Sequence, residues 1–144
     1  MSLERTILLV ENDEAQAEML RLALGRAGIG KKFQYVADGR LALVQVRDAL
    51  EQGCAPALVL LDLNLPGLDG LEVLEILKSD PGTRSIPVVV FTSSVAHNDV
   101  RRAYACHANA YIHKPRSLSS YVATLREIAH HWLDIVSIHD VGIQ

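Results

Sequence analysis

The chain has few cysteines, no surplus of positive charge and no long apolar run, and each shortage removes a class of protein. No stretch of its 144 residues approaches the ~18 uninterrupted apolar positions that a membrane-spanning helix needs. The two cysteines, Cys54 and Cys106, lie far apart and outside any CxxC spacing. That excludes a disulfide framework and a thiolate zinc site and suits a reducing cytosol, so a soluble cytoplasmic protein is expected. Lys and Arg total 14 against 17 Asp and Glu, a formal charge of -3, so no phosphate-backbone surface and no nucleic-acid partner are expected. The six histidines form no HExxH grouping, no Walker A sequence exists, and Gly28-Ile29-Gly30 lacks the third glycine of a dinucleotide fingerprint.

What is present is enough for one packed unit. At roughly 100–200 residues per domain the chain reads as a single domain over 1–144, and its 49% apolar and 22% charged composition is that of a soluble globular protein with a core. Five short apolar or β-branched runs, 5–10, 33–37, 57–61, 86–91 and 109–112, alternate with amphipathic stretches. The first, third and fourth runs are apolar nearly throughout, as strands covered on both faces must be. The intervening segments carry apolar residues at helical steps, such as Met19, Leu20, Ala23, Leu24 and Ala27 before Gly28, or Leu71, Leu74 and Leu77 between the Pro66-Gly67 turn and Asp80-Pro81-Gly82. A weak helix is expected over 97–106. A strong one begins at a Ser117 cap and runs through Leu118, Leu125, Ile128, Trp132 and Leu133 to Val136. Repeated βα units imply a doubly wound five-stranded parallel sheet with helices on both faces, a flavodoxin-like α/β fold with an extended C-terminal helix.

In such sheets the functional crevice lies beyond the carboxyl ends of the strands. Polar groups follow four strands there: Glu11-Asn12-Asp13, Asp62, Thr92-Ser93-Ser94 and Lys114-Pro115. Acids and amides supply the hard oxygen ligands that Mg²⁺ prefers, and an ammonium with a hydroxyl can bind the remaining oxygens of a phosphoryl group. The set can host phosphoryl transfer with Asp62 as nucleophile. It requires that the Asp62 carboxyl be reachable from solvent and that Lys114 lie at the same pole.

The segments LLVEND, LVLLDLNLPGLDG, PVVVFTSS and AYIHKP resemble the receiver domain of two-component response regulators, over about residues 5–128, with 129–144 as a helical extension. The resemblance implies strand order 2-1-3-4-5 and Asp62 as the phosphorylated residue, served by Thr92 and Lys114. It also implies a Mg²⁺ site of Glu11, Asn12, Asp62 and the Asn64 carbonyl, a Thr92–Tyr111 switch, and a cis peptide before Pro115. It implies a sensor histidine kinase as phosphodonor and no turnover of an external substrate. The tail, with HANAYIHKP and SDPGTRSIPVVVFTSS, is similar to the single-domain, often dimeric response regulators paired with bacterial phytochromes. Trp132, Leu133 and Val136 are then candidate contacts of a homodimer or protein partner, unless Trp132 packs inside its own chain. Fewer than 30 residues follow the start of the last helix, too few for a DNA-binding domain, so output through protein contact is expected.

One position departs from the receiver pattern. Asn12 stands where the family usually has a second metal-binding aspartate, which predicts weaker Mg²⁺ binding. Asp13 either reaches into the site or caps the following helix. Asn12 also favours an alternative, a pseudo-receiver that binds partners without phosphorylation. A phosphohydrolase would need a general acid where Asn64 stands, and a flavin carrier would need a hydroxyl-rich loop after the first strand.

Overall fold

The computed structural model describes residues 5–65 and 67–135. Five parallel strands, β1 (Ile7–Val10), β2 (Phe33–Val36), β3 (Leu58–Leu61), β4 (Val88–Thr92) and β5 (Ala110–His113), form one sheet in the order β2-β1-β3-β4-β5. The connecting helices are α1 (Glu14–Ala27), α2 (Gly39–Glu51), α3 (Gly70–Ser79) and α4 (His97–Ala105), with α5 (Leu118–Ala129) after the last strand. Both the fold class and the strand order match the expectation.

Alternation along the central strands divides the core in two. Leu8, Val10, Val59, Leu61, Val88 and Val90 face α2, α3 and α4 and pack with Val46, Val73, Leu74 and Ala103. Ile7, Leu9, Leu58, Leu60, Val89 and Phe91 face α1 and α5 and pack with Leu20, Leu24, Tyr121 and Leu125. Every residue of β1, β3 and β4 is buried, whereas the edge strands β2 and β5 are partly open, which is why their sequences are the less apolar. The fourth strand starts later than its apolar run because Pro87 has no N–H to donate, and it extends to include Thr92.

Caps fix where the helices begin. Asp13, Asp38, Asp69 and Ser117 each accept a backbone N–H from the first turn of α1, α2, α3 and α5, and Asp69 forms a reciprocal capping box with Glu72. Gly28 ends α1 in the left-handed region, with φ 71°. The expected single long C-terminal helix changes pitch: α5 is α-helical to Ala129 and widens to a π-helix over His130–Ile135. The wider turn breaks the 3.6-residue spacing of the apolar stripe. Trp132 and Leu133 nevertheless pack against the α1–α5 side of the core. Val136 and Pro66 lie outside the described residues. Among those described, no helix is long and apolar enough to cross a membrane.

Candidate functional site

Each site residue is pinned by a backbone bond at the end of a strand. The Glu11 N–H donates to Val36 O, the Asp62 N–H to Val10 O at 3.1 Å and the Lys114 N–H to Thr92 O at 2.8 Å. Neighbouring strands thereby fix where these backbones leave the sheet, and Asp62, Glu11, Thr92 and Lys114 gather at one edge of it. Lys114 is at the predicted pole. The peptide between Lys114 and Pro115 is trans, contrary to the expected cis bond. The trans form is the lower in energy, by ~0.5–1 kcal/mol, and here it already delivers the side chain to the site.

The cluster is a buried set of charges. Glu11 is 1% exposed, Asp62 and Lys114 4% each, and Thr92 fully buried. The Lys114 ammonium donates to Asp62 Oδ2 at 2.8 Å, to Glu11 Oε1 and to Gln16 Oε1. The other carboxylate oxygens are also engaged: Glu11 Oε2 accepts from the Asp13 N–H and Asp62 Oδ1 from the Asn64 N–H, each at 3.1 Å. Two anions share one cation away from water, an arrangement that holds only because every oxygen has a donor. Burial pushes the Glu11 carboxyl up to about 7, with Lys114 opposing the rise and the nearby Asp62 charge adding to it. Burial raises the Tyr121 hydroxyl to about 12, with Glu11 and Asp62 contributing.

The expectation of an open carboxyl is corrected by this geometry. Asp62 is nearly covered, because a buried anion demands a paired donor and the Lys114 ammonium lies directly on Oδ2. Reaching it requires the ammonium to shift.

Asn12 and Asp13, beside Glu11, are exposed. Asn12 donates its amide to Ala37 O at 3.0 Å, which leaves its oxygen as the atom available to a metal. Asp13 Oδ1 accepts from the Gln16 N–H, so Asp13 is the cap of α1. Thr92 Oγ1 accepts a long bond from the Ser94 N–H at 3.5 Å, and the Tyr111 hydroxyl donates to Ser94 O at 2.9 Å. Thr92 and Tyr111 thus meet at Ser94, on the loop after β4. Tyr111 is half-buried against the α2–α4 side of the core.

Two residues that the sequence reading passed over shape this site. Gln16 contributes the third acceptor to Lys114; nothing in its local pattern marks it, since the partner is 98 positions away. Gly70 packs on the backbone of Asp62: a Cβ there would stand 2.2 Å from Asp62 O and 2.6 Å from Leu63 Cα. A glycine in the first turn of a helix, directly after its cap, is the signal that was available, because an unfavourable residue in a helix often marks a close approach.

Residues 7–136 match the sequence model of the response regulator receiver domain. The chain belongs to that family. This receiver is 42% identical over 130 residues to the probable methanogenesis regulatory protein FilR2 of Methanothrix harundinacea (strain 6Ac), covering 88% of this chain and 83% of that protein. Among solved structures, it resembles the phosphorylated cyanobacterial phytochrome response regulator RcpA with a TM-score of 0.81 at 35% identity, covering 94% and 98% of the two chains. It also resembles the Mn²⁺-bound form of response regulator Rcp1, a protein of Synechocystis sp., with a TM-score of 0.77 at 36% identity, covering 94% and 99%. The receiver thus has relatives solved with a divalent metal and in phosphorylated form.

Proposed function

We propose that this receiver is a phosphorylation switch: Asp62 accepts a phosphoryl group from a sensor histidine kinase of the phytochrome type, and the modified domain signals through protein contact. The observation that carries the reading is the Lys114 ammonium 2.8 Å from Asp62 Oδ2, in a buried cluster with Glu11 and Thr92 at the strand ends. In the transfer an Asp62 oxygen bonds to phosphorus as the P–N bond of a phosphohistidine breaks, and the departing imidazole takes up a proton. Lys114 binds one phosphoryl oxygen, and the Thr92 hydroxyl turns toward another. That movement draws on the Thr92–Ser94–Tyr111 loop, so Tyr111 is the side chain placed to report it.

A divalent ion fits the donor set, which is made of hard oxygens. Glu11 and Asp62 would hold Mg²⁺ together with the Asn12 side-chain oxygen and the Asn64 carbonyl. When bound, the ion neutralises charge on the phosphoryl oxygens. No group of three or more His, Cys, Asp or Glu side chains able to hold a metal occurs among the described residues. The domain acts on no external substrate. It pairs with a second copy through the C-terminal segment, where Ile135 is 59% exposed next to the half-buried Trp132 and Leu133.

Incubation with acetyl phosphate and Mg²⁺, read by intact mass, tests the switch. The expected result is one phosphoryl adduct on the wild type and none on Asp62→Ala; the same samples in light scattering report the dimer. A wild type that stays unmodified at saturating metal supports the second reading, a phosphorylation-independent interaction module, which Asn12 and the covered Asp62 favour. Rapid turnover of diverse phosphate esters would contradict both.

A further inference from the structure

An ammonium has three N–H donors, and those of Lys114 are all taken, by Glu11, Asp62 and Gln16. No proton remains for an incoming phosphoryl oxygen, so one acceptor must let go. The three are unequal. Glu11 and Asp62 are buried carboxyls, and among the described residues neither Glu11 Oε1 nor Asp62 Oδ2 has a donor other than this ammonium, so separating either from it leaves a buried oxygen unpaired. Gln16 is neutral and half-exposed, and with Lys114 it lines an open groove of about 380 Å³ that also includes Ser93, His113 and Arg116. A bond from the ammonium to Gln16 is therefore the least costly of the three to exchange.

Gln16 does not reach Lys114 by chance of rotamer alone. The Glu11 carboxylate accepts from the Asp13 N–H, Asp13 caps α1 by accepting from the Gln16 N–H, and the Gln16 side-chain Oε1 accepts from Lys114, which returns to Glu11. This closed ring of bonds ties the first turn of α1 to the end of β5. We propose that Gln16 is a positioning residue of the site: its side-chain oxygen holds the Lys114 ammonium over Asp62 in the resting domain and is the acceptor released when a phosphoryl oxygen claims that ammonium. The assignment rests on Asp62 being the phosphoacceptor.

Beryllofluoride, which occupies the place of a phosphoryl group on a carboxylate, supplies the test, at saturating Mg²⁺. Gln16→Leu removes the resting acceptor and leaves the modified state intact, so it should bind beryllofluoride more tightly, by about tenfold or more, the worth of one hydrogen bond to a charged group. Its phosphorylation by acetyl phosphate should speed up in step. Gln16→Ala, which admits water to the same place, should gain less in the same direction, and Gln16→Glu should bind more weakly than the wild type. The Lys114 ammonium signal in NMR separates positioning from a merely structural role. Its proton exchange should accelerate in Gln16→Leu before beryllofluoride is added and match the wild type afterwards. Equal or weaker beryllofluoride binding by Gln16→Leu, with a wild type that binds it and is phosphorylated, overturns the Gln16 assignment alone. A wild type that does neither overturns the phosphoacceptor reading and this proposal with it.

Discussion

Glu11 shows at the scale of one residue what the site costs the fold. Its carboxyl titrates near 4.5 when solvated and about 7 in the folded chain, chiefly because burial penalises the ionised form. Between those values the folded state binds more protons than the unfolded one, so stability falls as pH rises from about 4.5 to about 7. Below that window the penalty is absent and above it complete, on the order of 3 kcal/mol at ~1.36 kcal/mol per pKa unit. Glu11→Gln removes the penalty. In urea unfolding with a chelator present, the stability of the variant minus that of the wild type should be flat below pH 4.5 and grow in the variant's favour up to about pH 7. A difference that stays constant across this range contradicts the account. Asp62, Thr92 and Lys114 were legible from the sequence because each stands at or directly after the end of a strand, where strand geometry alone sends it to one rim. Gln16 was not, since its role exists only through a partner 98 positions away. The closure over Asp62 was not legible either, because it depends on which of several donors the buried anions recruit.

Secondary-structure elements contribute by how closely they approach. Helix α3 begins against the end of β3, and Gly70 is the point of contact: a methyl group there would overlap Asp62 O and Leu63 Cα, both backbone atoms that cannot swing aside. Gly70→Ala should cost about 1–3 kcal/mol by overpacking and, by displacing the Asp62 backbone, should slow adduct formation as well. Gly25 in α1 is the control, for nothing lies within 4 Å of a Cβ added there. Gly25→Ala should stabilise by roughly 0.5–1 kcal/mol through helix propensity and leave adduct formation unchanged. Two glycine-to-alanine changes in helices thus carry opposite signs, measured by thermal unfolding and intact mass; a shared sign would show that the approach of α3 is softer than its geometry. The central strands were readable at this scale because helices cover both their faces and leave no polar position short of Thr92 at the end of β4. The π-helix at His130–Ile135 was not, since the apolar spacing of α5 runs on into it without a break in composition.

At the scale of the whole molecule, the donors of the site come from separate parts of the chain and exist as a group only when the sheet is assembled. Glu11 and Lys114 stand 103 positions apart, Asp62 and Lys114 52, so the unfolded chain has no comparable cluster, and a divalent ion held there as proposed would bind the native state alone. Mass action then makes global stability a gauge of metal occupancy: at free Mg²⁺ about a hundred times its Kd the fold should gain about 2.7 kcal/mol, and a chelator should remove the gain. At the proposed site the ion would share Glu11 and Asp62 with Lys114 and meet a neutral amide at Asn12, so the rise in unfolding temperature should need high Mg²⁺ concentrations. Asn12→Asp adds an anionic ligand and should move the same rise to lower Mg²⁺. Asp62→Ala should abolish it. If Asn12→Asp and the wild type titrate at the same Mg²⁺ concentration, the missing acid does not limit metal binding; if Mg²⁺ leaves the unfolding temperature of both unchanged, the strand-end cluster is no metal site at all.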